Sequence, residues 1–271
     1  MCDTCPSADR RKFLQRAAIG VAALAIPGWA SGGHGEEPKH EKPKPVKKGE
    51  NPPEAKHGPQ EEHTPAASGS HAPLTQKVTP DEALQRLLDG NKRFAANRRY
   101  HPNESLETRA KLATGQAPFA AILGCADSRV APEIVFDHGL GDLFVVRVAG
   151  NIVEDAGSGS FEYAVEHLGT PLIVVLAHER CGAVKATVET LEAGGEAPGH
   201  VAELVRKIKP AVEKSAGVPG DKVDNAVREN ARRMAAELAG LEPILKEKVD
   251  QGKLKVVAMR YDLDTGVMEL L

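Results

Sequence analysis

Phe119-Ala120-Ala121-Ile122-Leu123-Gly124-Cys125-Ala126-Asp127-Ser128-Arg129 places a short apolar run directly before a thiol, a carboxylate and a guanidinium. The run from Phe119 to Leu123 reads as a buried strand. The same pattern returns further on, where the apolar stretch Pro171 to Ala177 is followed by His178-Glu179-Arg180-Cys181-Gly182. Two strands of this kind can bring both polar clusters to one edge of a sheet, and in an open α/β sheet ligands collect beyond the carboxyl ends of the strands. Thiolate sulfur, imidazole nitrogen and carboxylate oxygen together suit a tetrahedral zinc ion. The expectation is that Cys125, Asp127, His178 and Cys181 surround one zinc.

Outward from these strands the signals alternate. Pro132 to Phe136 reads as a short helix, Leu143 to Val148 as a strand, Gly159 to Leu168 as a helix, Leu172 to Leu176 as a strand and Gly182 to Leu191 as a helix. That alternation predicts an α/β fold, a central, mostly parallel β-sheet flanked by helices with right-handed crossovers. Ahead of the sheet, Thr79-Pro80-Asp81-Glu82 is a helix start, with Thr79 as N-cap, Pro80 in the first helical position and acids in the first turn. Ala83, Leu84, Leu87, Leu88 and Phe94 form its apolar stripe, and a second helix is expected from Ser105 to Ala113. Preceding the sheet, both must cover a sheet face or a partner subunit. Residues 221–249 read as helix in two pieces broken near Gly240 and Pro243. Leu254 to Tyr261 with Val267 to Leu271 reads as a closing hairpin around Asp264-Thr265-Gly266.

The first quarter of the 271-residue chain has a different character. Asp9-Arg10-Arg11-Lys12-Phe13-Leu14 precedes an apolar, Ala-rich run from Ala17 to Ile26, and Gly28 and Ala30 are small residues suited to processing after Ala30. This pattern predicts an export signal over residues 1–30, and the paired arginines with Phe-Leu resemble a twin-arginine signal, which implies export of a folded, metal-loaded protein, with the periplasm as destination. An apolar run of about ten residues is too short to span a bilayer, so no membrane span is expected after processing. Residues 31–77 are Pro, Lys, Glu, Gly and His with almost no large apolar side chain beyond Val46 and Leu74, and read as a disordered linker. Its histidines, His34, His40, His57, His63 and His71, lack the tight spacing of a defined metal site; solvated spacer is the simpler reading, with a proton buffer or a weak metal scavenger as alternatives. Cys2 and Cys5 have the spacing of half a metal site, with no second half nearby, and would leave with the signal. Residues 78–271 remain as the catalytic domain. A net charge of −3 gives no reason to expect nucleic-acid binding, which needs a clustered basic excess.

A zinc ion held by two thiolates and one imidazole, with one exchangeable position, lowers the pKa of bound water from about 15.7 toward roughly 7, so that hydroxide exists at neutral pH. Four permanent protein ligands would instead make a closed, structural site. Asp127 is therefore pivotal: it can fill the fourth position or leave it to water. Arg129 can draw that carboxylate away in a bidentate pair, after which Asp127 can accept the hydrogen bond of the nucleophile.

Cys125-Ala126-Asp127-Ser128-Arg129-Val130 and His178-Glu179-Arg180-Cys181-Gly182-Ala183 resemble the two zinc motifs of the beta-class carbonic anhydrases, in the same order and at a similar separation. The resemblance extends from about Glu82 to the C-terminus through Gly90-Asn91-Lys92-Arg93-Phe94, Gly141-Asp142-Leu143-Phe144-Val145-Val146-Arg147, Ala149-Gly150-Asn151, Glu162-Tyr163-Ala164 and Tyr261-Asp262-Leu263-Asp264-Thr265-Gly266. It implies reversible hydration of carbon dioxide to bicarbonate and a proton, one Zn2+ per subunit, Asp127 and Arg129 as the catalytic dyad, and a homodimer or homotetramer. It further implies that Gln116, Phe144, Ala149 and Tyr163 line the carbon dioxide pocket, partly across a dimer interface. Ala177, Val148 and Ala258 depart from the family, which commonly has Gly, Asn and Gly at these positions.

Other readings compete. In an exported protein Cys125 and Cys181 can pair as a disulfide, Asp127 and Arg129 can be an ion pair that merely stabilises a turn, and Phe144 and Tyr163 can be ordinary core aromatics. His138, His167 and His200 read as surface or core histidines with no second ligand or base nearby. The same fold could act on carbon disulfide or carbonyl sulfide, or a closed site could make a non-catalytic zinc-binding module. The presence of Arg129 favours the enzyme.

Overall fold

The computed structural model describes residues 78–271. The export signal over residues 1–30, the linker over 31–77 with its five histidines, and Cys2 and Cys5 lie outside the described residues. Five strands form one sheet in the order β2-β1-β3-β4-β5: β1 Ala120–Gly124, β2 Leu143–Arg147, β3 Leu172–His178, β4 Lys255–Tyr261 and β5 Met268–Leu270. The pairs β1–β2, β1–β3 and β3–β4 are parallel, and only β4–β5 is antiparallel. The expected α/β architecture is present.

Burial explains why β1 and β3 read as unbroken apolar runs rather than alternating ones. Every residue of both is buried because helices cover both faces of the sheet. Ala120, Ile122, Leu172, Val174 and Leu176 face one core with Phe119, Val135 and Phe136. Ala121, Leu123, Ile173, Val175 and Ala177 face the other with Phe161, Val184, Ile208, Val227, Met234 and Leu245. Period-two alternation thus sorts one strand into two cores.

Helix α1, Pro80–Ala95, covers the first core with Ala83 and Leu87, both fully buried. Its start is a capping box: Glu82 N donates to Thr79 Oγ1 at 3.2 Å and Thr79 N to Glu82 Oε2 at 2.8 Å. Buried Asn91 ties this helix to distant chain, donating to Val135 O at 3.0 Å and Gly266 O at 2.8 Å while accepting from Met268 N at 2.9 Å. Next to it, a Cβ on Gly90 would stand 1.8 Å from Phe136 O, so only glycine lets α1 approach the short helix α3, Pro132–Val135. Helix α2, Leu106–Leu112, is capped by Ser105 and buries no residue of its own, so within one subunit it covers no sheet face.

The opposite face carries α4 Asp155–Glu166, α5 Gly182–Glu192, α6 Val201–Lys214, α7 Lys222–Ala239 and α8 Ile244–Asp250. Helix α4 begins four residues earlier than the sequence suggests, because Gly157 and Gly159, poor helix formers, sit in its first turns. Helix α6 is not anticipated at all. Pro210 interrupts its pattern, yet Ile208 and Ala211 are fully buried and hold it down. The break between α7 and α8 falls where Gly240 and Pro243 predict it. His138 does have a base nearby: its Nδ1 lies 3.5 Å from Asp142 Oδ2, correcting the expectation that it lacks one.

Candidate metal centre

Cys125 follows β1 directly and His178 is the last residue of β3. Since β1 and β3 are parallel neighbours with Gly124 opposite Leu176, the two carboxyl ends deliver thiol and imidazole to the same place. The chain then turns through Glu179 and Arg180, the latter at φ +52°, and Cys181 becomes the N-cap of α5. Cys125, His178 and Cys181 are all buried, and their ligand atoms lie within 4.8 Å of one another.

The sulfurs are 4.0 Å apart and both cysteines are free, which rules out the disulfide reading; an S–S bond is about 2.05 Å. Two thiolates each about 2.3 Å from a tetrahedral ion would stand ~3.8 Å apart, close to what is seen. His178 Nδ1 lies 2.8 Å from Glu179 O. That contact places the proton on Nδ1 and leaves the Nε2 lone pair facing the sulfurs. Nε2 is buried and has no hydrogen-bond partner among the described residues. An orphaned imidazole nitrogen beside two thiols is a donor set that fits zinc.

The electrostatics agree. The Cys125 thiol is pulled well below the usual thiol range by the adjacent Cys181 sulfur, then, against its own burial, by His178 and the Gly150 N–H. The same contact, with burial, drives Cys181 up. Without a cation the pair sheds only one proton; a divalent ion would let both ionise. Burial opposes protonation of His178, but the Cys125 sulfur, the Glu179 carbonyl and Asp127 outweigh it and raise its pKa.

Asp127 stands differently from the other three. Arg129 grips it, Nε to Oδ1 at 2.9 Å and Nη2 to Oδ2 at 2.7 Å, and the Arg129 backbone N–H adds a third bond to Oδ1 at 2.9 Å. Oδ2 still lies 3.7 Å from His178 Nε2, at the rim of the centre. The Arg129 guanidinium holds this carboxyl far below the usual carboxylate range. So three side chains converge, and the fourth expected ligand is occupied by its arginine.

Two supports lie outside the residues singled out from sequence. Arg147, at the end of β2, donates from Nε to Cys125 O at 2.9 Å and from Nη2 to Asp127 O at 2.6 Å, fixing the loop that carries both. Arg180 makes a bidentate pair with Asp264 at 2.9 and 2.7 Å, and Leu263 N donates to Glu179 Oε2 at 3.1 Å, so the β4–β5 hairpin latches the turn between His178 and Cys181.

A family model described as carbonic anhydrase matches residues 120–268. The chain belongs to the carbonic anhydrase family. It is 43% identical over 189 residues to carbonic anhydrase 2 of Mycobacterium tuberculosis, covering 70% of this chain and 91% of that one. To the carbonic anhydrase of Pseudomonas aeruginosa it is 35% identical over 201 residues, covering 69% and 87%. Among solved structures it resembles the beta-carbonic anhydrase CcaA, with a TM-score of 0.56, 26% identity and coverage of 69% and 94%. It also resembles the Coccomyxa beta-carbonic anhydrase in complex with acetazolamide, with a TM-score of 0.53, 28% identity and coverage of 69% and 86%. Within the carbonic anhydrases it is of the beta class.

In this carbonic anhydrase the four pocket positions are split. Phe144 on β2 and Tyr163 on α4 face each other with ring centroids 6.4 Å apart, Tyr163 being 47% exposed. Ala149 opens the 3₁₀ turn Ala149–Asn151 that leads to Gly150. Gln116 is exposed in the α2–β1 connection, where it lines an open cleft with Arg109, Leu112 and Leu140.

Proposed function

We propose that this carbonic anhydrase interconverts carbon dioxide and bicarbonate, adding water to carbon dioxide and releasing a proton. The observation that carries the reading is the bidentate hold of Arg129 on Asp127 beside three converging donors. A closed structural site needs that carboxylate as a ligand, and here its oxygens are engaged elsewhere.

Cys125, His178 and Cys181 would hold the zinc, which when bound supplies the Lewis acidity that makes water a usable nucleophile near neutral pH. Asp127, kept ionised by Arg129, offers an acceptor 3.7 Å from His178 Nε2. It accepts a hydrogen bond from the attacking water and so turns the water's lone pair toward the substrate carbon. Arg129 thereby has two tasks: it orients the carboxylate and keeps it from filling the position water needs. Phe144, Ala149 and Tyr163 offer an apolar wall suited to a small uncharged substrate. The exposure of Tyr163, and of Gln116 in a separate cleft, supports a pocket completed by a second subunit in a homodimer or homotetramer.

The same proposal includes export. The paired arginines and short apolar run support a twin-arginine signal over residues 1–30, a linker over 31–77 and a periplasmic catalytic domain over 78–271. Among the described residues no helix is long and apolar enough to cross a membrane. The deciding experiment is a stopped-flow carbon dioxide hydration assay with metal analysis of the same sample. Zinc at one per chain with rapid hydration is expected, and zinc-loaded protein without hydration would overturn the reading.

A further inference from the structure

We propose that Asn230 on α7 is a positioning residue of the metal centre, its side-chain amide holding Gly150 so that the Gly150 N–H keeps donating to the Cys125 sulfur. The inference rests on the reading of Cys125 as a zinc ligand. It starts from an amide in an apolar place: Asn230 is fully buried on a helix face shared with Ala226, Val227, Ala231 and Met234. Its Nδ2 donates to Gly150 O at 2.9 Å, while its Oδ1 has no partner among the described residues. Because the group it meets is a carbonyl, nitrogen must be the atom facing it. Burying an amide with one end unsatisfied is unfavourable, so the residue is poorly explained as a contribution to stability.

Gly150 explains what the amide is for. Its φ is +74°, and a Cβ there would stand 2.7 Å from Ile208 Cδ1 and 3.2 Å from Ala183 Cβ. No side chain can therefore anchor this residue, and glycine moves readily between mirror-related conformations. Yet its N–H must stay put, 3.3 Å from Cys125 Sγ. The only side chain gripping its carbonyl among the described hydrogen bonds is Asn230, 80 residues further along the chain. An N–H aimed at a thiolate draws charge from the sulfur, and less donation from sulfur leaves the metal more electrophilic. Asn230 acts on the centre at second hand, through a backbone that cannot hold itself.

The test uses the full chain with cobalt in place of zinc. In Asn230→Ala the thiolate-to-cobalt charge-transfer band should move to lower energy, because a sulfur without its N–H is more easily oxidised. In the zinc enzyme kcat/KM for carbon dioxide should fall about two- to tenfold, the worth of one hydrogen bond, at unchanged metal content. Leu238→Ala, equally buried on the same helix, should lower the melting temperature and leave the band in place. A band unmoved in Asn230→Ala despite a lower melting temperature would reduce Asn230 to a packing residue. If that variant does not fold, Asn230→Leu, which has no donor for Gly150 O and fills a similar volume, is read by the same criterion. Wild-type protein that binds zinc but hydrates nothing would sink the carbonic anhydrase reading alone, since the cobalt band judges Asn230 independently.

Discussion

Arg129 binds both carboxylate oxygens of Asp127 across only two residues of chain, with Nε on Oδ1 and Nη2 on Oδ2. A pair this close in sequence folds as a unit, so the carboxylate is oriented before any substrate arrives. Asp127→Ala should lower carbon dioxide hydration by about 100-fold or more, the scale of a positioned acid–base group, and Arg129→Ala should do likewise. Zinc content should stay at one per chain in both. Full activity in either variant would remove the pair from the mechanism.

Cys181 supplies a ligand atom from the N-cap of α5, where its Sγ is 4.0 Å from that of Cys125. Cys181→Ser replaces a thiolate with a group that ionises far less readily. Zinc affinity, measured by competition with a chromophoric chelator, should drop by more than about 100-fold, beyond the loss usual for partners outside the ligand shell. Retention of wild-type affinity would mean that the metal sits elsewhere.

Asp137 gives a pH-dependent stability. Burial raises its pKa, but the Tyr100 N–H, Arg93 and the His101 N–H more than reverse this and hold it below the usual carboxylate range. A carboxyl depressed on folding stabilises fully above the unfolded value of about 4, and the contribution disappears as pH falls through the lower folded value. The wild-type protein should therefore melt above Asp137→Asn at pH 6, and the two curves should converge below about pH 4. Parallel curves across that range would show that the network does not depend on the charge.

Gly150→Ala tests the backbone under the metal centre. The substitution meets both a positive φ and a contact of 2.7 Å with Ile208 Cδ1, and should cost about 2 kcal/mol or more in a denaturant titration. In a double-mutant cycle with Ile208→Ala, whose own cavity cost is measured separately, Gly150→Ala should cost less in the Ile208→Ala background than in the wild type, because the clash is cleared. An equal cost in both backgrounds would mean that the φ alone sets it.

The strands that deliver the ligands were legible because both are buried on two faces and therefore appear as apolar runs, each ending at its reactive residues. The capping of α1 was equally plain, since Thr79, Pro80 and Glu82 act within one turn. What sequence could not display were partners made by topology. Arg147 reaches Cys125 O only because β2 pairs with β1, and Asn230 reaches Gly150 only because α7 lies over the sheet. Helix α6 was hidden by Pro210, whose ring ordinarily argues against helix, while the burial of Ile208 overrides it. Spacing groups Asp127 with the other three donors, and spacing says nothing of which way a carboxylate turns when an arginine stands beside it.

Cys125 and Cys181 are 56 residues apart and come together only where two neighbouring strands end side by side. Among the described residues, neither half of the chain alone carries the full set of Cys125, His178 and Cys181. Zinc uptake at this centre is thus a gauge of whether the middle of the sheet has zipped: with cobalt, the intense colour of two thiolates on one ion belongs to the finished fold.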